Sequence, residues 1–364
     1  MYIAITIIVV ISITAVSVLN LPQFGKSPSG ERLERIKKSP NYRNGSFQNQ
    51  SYTPLFADEG NFITVFSGFL KGRNKRLNPV GEIPSVKTDL ISLDKNVDAL
   101  VWFGHSSYFL QVDGKKFLVD PVFSGAAAPF SFMIKAFKGS DNYKAADMPE
   151  IDYLVITHDH WDHLDYETIV KLKPKVKKVI CGLGAGVNLE YWGYDKNIIT
   201  EMDWEEQLNL DDSTKITSLP ARHFSGRTLK RNQTLWTSFI LQTPNITIFM
   251  GCDGGYDSHF AEIGKKFSID LAILENGQND SRWKYIHMMP DEFSKAFHDL
   301  KAKRYFTIHS SKFALANHAW DEPMIRVSEA AKESGVSLLT PKIGELVNLK
   351  DNTQKFEEWW KRLV

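Results

Sequence analysis

The sequence predicts a layered α/β sandwich, and two observations lead to this prediction. Short apolar segments rich in Val, Ile and Phe recur from residue 99 onwards, and their length is typical of buried strands. The first of these segments follow one another closely, as strand pairs do, whereas the later ones alternate with helical segments. This order of elements is typical of layered α/β folds.

The predicted elements lie mainly between residues 97 and 350, which we assign to one body. The predicted strands cover residues 99–104, 108–112, 116–120, 153–157, 178–181, 215–220, 237–243, 246–251, 271–275 and 304–309. The predicted helices cover residues 166–172, 258–267, 290–302 and 322–334. A basic linker and loop-rich extension at residues 21–96 precedes this body, and a C-terminal tail at residues 351–364 follows it.

The composition is that of an ordinary globular chain, with 364 residues, 43% hydrophobic residues and a formal net charge of +1. This hydrophobic content excludes intrinsic disorder. The neutral charge balance argues against a dedicated nucleic-acid-binding protein, so no nucleic acid is expected as a partner. The two cysteines, Cys181 and Cys252, are too few for a disulfide framework and are compatible with either redox compartment.

Residues 2–19 form an apolar run without a charged side chain. A membrane-spanning helix needs about 20 apolar residues, which this segment and the uncharged residues after it just supply. We expect residues 1–20 to form an uncleaved membrane anchor. A cleaved signal peptide is the alternative, because residues 15–17 resemble a small-residue cleavage site, although the basic residues that usually begin such a peptide are missing. A buried core segment is a third reading.

Residues 26–43 carry six Lys or Arg side chains against two Glu. By the positive-inside tendency, this excess favours the cytoplasmic side for the body, at a bacterial inner membrane. A solvated amphipathic helix explains the same charges, so the orientation stays open. If the first segment is a cleaved signal, the body is exported instead.

Potential metal ligands are concentrated at THDHWDHLDY, residues 157–166, where a predicted apolar strand ends. His158, His160, Asp162 and His163 fall within six residues, and zinc favours imidazole nitrogen and carboxylate oxygen. In a turn that leaves a strand, His158 and His160 can converge on one ion while Asp162 and His163 point towards a second. This spacing predicts a two-metal site that needs further ligands from elsewhere.

Three isolated residues qualify as these further ligands: His223, Asp253 and His309. Each follows the carboxyl end of a predicted strand, where α/β folds collect their sites. The glycines around Asp253 permit a close backbone approach. Taken singly, each is an ordinary polar loop residue, and the motif at residues 157–166 is what makes them candidate ligands.

Together these motifs resemble the metallo-β-lactamase fold superfamily and, within it, the N-acylphosphatidylethanolamine-hydrolysing phospholipase D family and its bacterial relatives. The resemblance runs from about residue 85 to residue 349 and includes FGHSSYFLQVDG, LVDPVFS, THDHWDHLDY, ARHFSGRTL, GCDGGY, FAEIGKKF and IHSSKFALANH. It implies a four-layer αββα sandwich with two Zn²⁺ ions at one rim.

The resemblance also implies the ligands and the reaction. His158, His160 and His223 would hold the first zinc ion, Asp162, His163 and His309 the second, and Asp253 would bridge both. The implied reaction is attack of a metal-bridging hydroxide on a phosphodiester. Asp162, Asp253 and His287 are the implied catalytic residues. In this set, Asp162 orients the attacking water or accepts its proton, and His287 contacts the phosphate or assists the leaving group.

Four other side chains near these motifs receive structural predictions. We expect His105 to be a partly buried residue that bonds to a loop, and Trp161 to be a packing aromatic. His259 and His318 are predicted to lie at the surface.

The implied substrate is a phospholipid or a small phosphodiester or ester, and the implied membrane contact is made through residues 2–19. Three positions depart from the phospholipase pattern: Ser310 replaces an aromatic residue, Cys252 a glycine and Ile286 a polar residue. These departures leave the substrate open. A lactonase or carboxyl-ester hydrolase of the same fold is the alternative, and a membrane-tethered metal-binding protein without catalysis is a further one.

Overall fold

The computed structural model describes residues 2–57, 61, 63 and 74–363. Residues 58–60, 62 and 64–73 of the predicted loop-rich extension lie outside the described residues. The first helix, α1, covers Tyr2–Leu19, and none of its residues is buried. In the part of the chain that the structure describes, it is the one helix long and apolar enough to cross a membrane.

The segment after α1 packs on the body. It contains a 3₁₀ turn at Pro22–Phe24, helix α2 at Gly30–Lys38 and a hairpin of β1 (Tyr42–Arg43) and β2 (Ser46–Phe47). Ile36 and Phe47 are fully buried, in one apolar cluster with Trp204 and Trp236. This cluster fixes the path of the chain between α1 and the sheets.

Two seven-stranded sheets form the described body. The first contains β3 (Ala99–Trp102), β4 (Tyr108–Val112), β5 (Lys115–Val119), β6 (Ile151–Ile156), β7 (Val176–Gly182), β8 (Ile199–Met202) and β16 (Leu346–Asn348). The second contains β9 (Gln207–Asn209), β10 (Lys215–Leu219), β11 (Ser238–Gln242), β12 (Thr247–Met250), β13 (Leu271–Glu275), β14 (Arg304–Ile308) and β15 (Ser337–Leu339). Their strand orders are β16-β3-β4-β5-β6-β7-β8 and β15-β14-β13-β12-β11-β10-β9.

The strand directions bring several loops to one rim. Strands β5 to β8 are parallel, and so are β12 to β15. Because β11 runs antiparallel to both β10 and β12, strand β10 points the same way as β12 and β14. The carboxyl ends of β10, β12 and β14 therefore meet at one edge of the second sheet.

Both faces of each sheet are buried. Side chains of a strand alternate between its two faces, and in β4 Leu110 enters the core between the sheets while Phe109 enters the outer core. Helices α3 (Tyr166–Leu172) and α4 (Gly186–Tyr191) contribute to that outer core. On the second sheet, α5 (His259–Lys266), α6 (Phe293–Leu300) and α7 (Glu322–Ser334) do the same. The predicted αββα sandwich is thus confirmed.

Within the two seven-stranded sheets, the strands that the sequence did not predict are the four edges: β8, β9, β15 and β16. They are three or four residues long, and edge strands are commonly short and polar, which removes the apolar pattern that marks a central strand. The predicted helix at 290–302 is shorter than expected. A 3₁₀ turn occupies Pro290–Glu292, and α6 ends at Leu300 because Lys301 is left-handed, with φ of 53°. Trp359 and Trp360, near the C-terminus, are fully buried in the core between the sheets.

Candidate metal centre

The loop after β6 carries four of the predicted site residues in a tight turn. The backbone N–H of Leu164 donates to the carbonyl of His160, at 2.8 Å. His158, Asp162 and His163 are buried, and His160 is half-buried. The turn therefore holds these side chains inside the rim rather than in solvent.

The other three predicted ligands reach the same place from the second sheet. His223, Asp253 and His309 follow β10, β12 and β14 and are each at most 2% exposed. His309 has a left-handed backbone, with φ of 70°. A Cβ at Gly277 would lie 2.2 Å from the carbonyl oxygen of His309, so only glycine permits this close approach of the two backbones.

His158, His160 and His223, the histidine trio, aim three nitrogens at one point. The Nε2 atoms of His158 and His223 lie 2.9 and 3.3 Å from Nδ1 of His160. All ligand atoms of the trio lie within 4.8 Å of one another.

Hydrogen bonds fix which trio nitrogens carry lone pairs. Nδ1 of His223 donates to the Ile286 carbonyl at 2.8 Å. Nδ1 of His158 donates to the Thr157 hydroxyl at 3.0 Å, because that hydroxyl itself donates to Asp120 at 2.6 Å. Burial lowers the pKa of all three imidazoles, that of His160 to about 3. The Nε2 lone pairs of His158 and His223 thus both point at Nδ1 of His160. The neutral His160 ring has a single N–H, which can donate to at most one of these two lone pairs. A cation satisfies all three, so the trio fits a metal ion.

Asp162, His163, Asp253 and His309, the carboxylate-rich group, lie beside the trio. Nε2 of His163 is 3.0 Å from Asp253 and 3.6 Å from Asp162, and Nδ1 of His309 is 3.1 Å from Asp253. His158, His163 and Asp253 also offer ligand atoms within 4.8 Å of one another. The trio and the carboxylate-rich group therefore form adjacent halves of one centre.

Charged partners surround this second half. Burial alone would lower the pKa of His163, but Asp253 and Asp162 raise it well above its usual value. Burial raises the pKa of Asp253 to about 6. Burial also opposes ionisation of Asp162, yet His163 and a hydrogen bond from His105 bring its pKa below the usual range. Metal ligands must be deprotonated, so a bound cation replaces these protons.

His287 lies between the two halves. Its ring centroid is 5.1 Å from that of His223 and 5.0 Å from that of His309. Nδ1 of His287 bonds to Oε2 of Glu275 at 2.7 Å, and Glu275 also accepts a short hydrogen bond from the Met288 backbone. Burial raises the pKa of Glu275 and lowers that of His287. Nε2 of His287 is left to face the cavity.

A cavity of about 340 Å³ opens over the centre. Its wall is mainly apolar, with a few polar side chains near the metal-binding residues. The apolar lining residues are Leu55, Phe56, Phe224, Trp283, Ile286 and Leu315. The guanidinium of Arg231, which also lines the cavity, lies 5.4 Å from the ring centroid of Phe224.

The structure brings all eight residues of the predicted site together, and sequence reasoning missed three partners. Asp120 accepts from Nδ1 of His163 at 2.8 Å, and Glu275 holds His287. His105 is fully buried rather than partly buried, and the loop residue to which it bonds is Asp162, at 2.9 Å. One signal was present: Asp120 and Glu275 are acids that end apolar strand segments.

Two of the other structural predictions need correction. His259 is 6% exposed and packs on Phe260, with ring centroids 4.3 Å apart, so its predicted surface position is wrong. His318 is half-buried, and its Nε2 accepts from the Gln278 backbone at 2.9 Å. Trp161 packs away from the cavity, 5.9 Å from Phe24 between ring centroids.

Comparison with known proteins identifies the family. A sequence family described as a beta-lactamase superfamily domain matches residues 115–310. An uncharacterized protein of Mycobacterium tuberculosis is 33% identical over 330 residues, which are 89% of this chain and 88% of that protein. The chain belongs to the metallo-β-lactamase fold superfamily. The resemblance stated from the sequence motifs is thus confirmed.

Within this superfamily, N-acyl-phosphatidylethanolamine-hydrolyzing phospholipase D 1 of Caenorhabditis elegans is 30% identical over 268 residues. These cover 69% of this chain and 75% of the phospholipase. A metallo hydrolase of Ignicoccus hospitalis has a similar fold, with a TM-score of 0.52 and 21% identity, over 69% of this chain and 98% of that one. The family match and the His/Asp clusters identify the chain as a metal-dependent hydrolase of this fold.

Proposed function

We propose that the protein is a binuclear zinc hydrolase that cleaves a phosphodiester, with a membrane phospholipid as substrate. The observation that carries this proposal is the pair of adjacent ligand groups, in which the trio has lone pairs that only a cation satisfies together. The relationship to a phospholipase that hydrolyses N-acyl-phosphatidylethanolamine supports the substrate class.

The ligand chemistry supports zinc at both positions. Three neutral imidazoles in the trio are a common zinc ligand set that leaves one position open. Asp162, His163 and His309 would hold the second ion. Asp253 would contact both ions, because it offers a ligand atom within 4.8 Å of those of His158 from the first set and His163 from the second.

Zinc bound here would supply a nucleophilic water of lowered pKa and would stabilise the negative charge that develops on the phosphoryl oxygen. The chain positions the remaining groups. Asp162, held by His105, faces the centre and would orient the attacking water and accept its proton. His287 presents Nε2 to the cavity and would contact the phosphate or give a proton to the leaving oxygen, while Glu275 fixes its ring.

The cavity wall supports a phosphodiester with apolar substituents. Arg231 is the cation of the lining, and no carboxylate among the described residues lies within ion-pair distance of it. Its guanidinium is therefore available for a phosphoryl anion, and the neighbouring apolar side chains for acyl chains.

The test measures bound metal and then turnover of N-acylphosphatidylethanolamine, bis-p-nitrophenyl phosphate and a lactone panel. We expect about two zinc ions per chain and turnover of the two phosphodiesters. Two ions without any turnover would favour a non-catalytic metal-binding protein, and turnover of lactones alone would favour the lactonase alternative. A chain without stoichiometric metal would overturn the proposal.

Arg231→Gln tests the phosphodiester directly. Loss of one charged hydrogen bond lowers kcat/KM roughly 10- to 100-fold, and we expect this for phosphodiesters but not for neutral lactones. Arg231→Lys should recover part of the loss, and Arg326→Gln, at an exposed position of α7, is the matched control. An equal loss on neutral and anionic substrates would show that Arg231 supports the loop rather than the anion.

A further inference from the structure

Apolar side chains are exposed on two loops near the end of α1. In the loop at residues 129–134, Phe132 is 73% exposed, and Met133 and Ile134 are about 40% exposed. In the loop at residues 228–231, Leu229 is 87% exposed. Large exposed apolar side chains that lie close together mark an interaction surface.

The end of α1 is fixed to the metal centre rather than joined to it by a loose linker. Arg227 is 3% exposed, and it donates from Nε and Nη2 to the Gln23 carbonyl, at 2.9 and 2.7 Å. From Nη1 it donates to the carbonyls of Asp159 and Leu164, at 2.8 and 2.7 Å. One buried guanidinium thus joins the segment after α1 to the ligand loop.

Aromatic packing connects the first apolar loop to the same point. The ring of Phe24 lies 6.1 Å from that of Phe130 and 5.9 Å from that of Trp161. Phe130 stacks on the exposed Phe132 at 5.6 Å. The loop at 129–134 therefore lies beside the place where α1 leaves the body.

The second loop connects the same point to the cavity. Phe224 and Arg231 line the cavity over the metal centre. Between them, Gly226, Arg227, Thr228 and Lys230 line a groove that also contains Leu19 and Asn20, at the end of α1. The short segment at residues 224–231 therefore borders both the cavity mouth and the groove at the end of α1.

Charge on this surface suits lipid head groups. Lys26 and Lys230 line the groove beside the α1 exit, Arg231 follows in the chain, and the exposed Lys135 follows the first apolar loop. Basic side chains next to apolar ones are typical of surfaces that bind anionic bilayers. The eighteen residues of α1, none of them buried, end at this surface.

We propose that the loops at 129–134 and 228–231 form a membrane-docking surface for the bilayer that α1 enters. The surface sets the cavity mouth against the head-group layer, so that a lipid reaches the centre from the same leaflet. This proposal rests on the proposed lipid substrate and on α1 as a retained anchor.

Site-directed spin labelling of the full chain in vesicles tests the surface. The natural cysteines, Cys181 and Cys252, are both buried, so a single introduced cysteine carries the nitroxide. The labelled variants are Phe132→Cys and Leu229→Cys in the two loops, Ser12→Cys in α1, and Glu333→Cys near the exposed end of α7 as the aqueous control. The vesicles contain phosphatidylethanolamine and phosphatidylglycerol.

We expect labels at 132 and 229 to lose collisions with a water-soluble nickel chelate and to gain collisions with oxygen, as the label at 12 does. The label at 333 should show the opposite. Nickel access at 132 and 229 equal to that at 333 would overturn the docking surface. Because the measurement needs no turnover, an inactive protein with lipid-facing loops would contradict the proposed activity alone, and the label at 12 shows separately whether α1 enters the bilayer.

Discussion

The histidine trio and the carboxylate-rich group are neighbours with opposite electrostatics. The trio contains only imidazoles, oriented by neutral partners: the Thr157 hydroxyl and the Ile286 carbonyl. The carboxylate-rich group contains Asp162 and Asp253. Ionisable partners orient two of its members, since Asp120 bonds to His163 and His105 to Asp162, while the neutral Ser106 hydroxyl contacts His309. Its acids and imidazoles can satisfy one another by hydrogen bonds, whereas the trio's lone pairs cannot. The trio therefore depends on a cation more completely than its neighbour does.

The largest expected effect follows from that dependence. In His160→Asn the convergence of three nitrogens is lost, so we expect activity at background and bound zinc reduced by about one ion per chain. Metal analysis together with diester turnover checks both. His298→Asn, at an exposed position on α6, is the matched histidine control. Full activity with two bound ions in His160→Asn would contradict the assignment of the trio as a metal site.

A smaller effect on activity is expected for Glu275, which holds His287 between the two halves of the centre. In Glu275→Gln an amide that cannot ionise replaces the carboxyl group whose ionised form would stabilise a protonated His287, so proton transfer to the leaving oxygen weakens. Losses of general acid catalysis are roughly 10²- to 10⁴-fold, and we expect the lower end for substrates with alkoxide leaving groups. Diesters that release p-nitrophenolate need no proton and should be little affected.

The dependence on the leaving group distinguishes this role from a structural one. A variant that merely loosens the site lowers kcat for both substrate types by the same factor, and that outcome would assign Glu275 to packing. His287→Asn should reproduce the selective loss.

Much of the fold and most of the centre were predictable because buried strands and ligand motifs leave local signals. The run at 157–166 contains four site residues, and apolar strands directly precede His223, Asp253 and His309. Orienting partners leave no such signal. His105 reaches Asp162 across 57 positions, and only the order of the strands in the first sheet places it there. His259 was misassigned because an imidazole on a short helix looks the same in sequence whether its helix face is covered or exposed.

The third prediction concerns Asp120, the charged partner of His163 in the carboxylate-rich group. Asp120 accepts from Nδ1 of His163 and from both the backbone N–H and the hydroxyl of Thr157. Loss of such an outer partner typically costs roughly 10- to 100-fold in metal affinity or activity, which we expect for Asp120→Asn. Zinc titration and turnover measure it. Asp152→Asn, an acid of β6 that is half-buried, is the control, and an equal loss there would show a general effect on the sheet.

The smallest effect on zinc affinity is expected for Thr157, the neutral partner of His158 in the histidine trio. Thr157→Val removes the hydroxyl that accepts from Nδ1 of His158, but it removes no charge. A neutral hydrogen bond contributes about 0.5–1.5 kcal/mol, or a few-fold in zinc affinity.

Thr157→Ser keeps the hydroxyl and should retain the native affinity, which separates the hydrogen bond from the packing of the methyl group. Because the Thr157 hydroxyl also donates to Asp120, the double variant with Asp120→Asn is informative. A combined loss smaller than the product of the two single losses would show that both residues act on the zinc ions through one connected network. If Thr157→Val instead costs as much as Asp120→Asn, the charge of the orienting partner is not what distinguishes the two halves, and the comparison between the trio and the carboxylate-rich group fails.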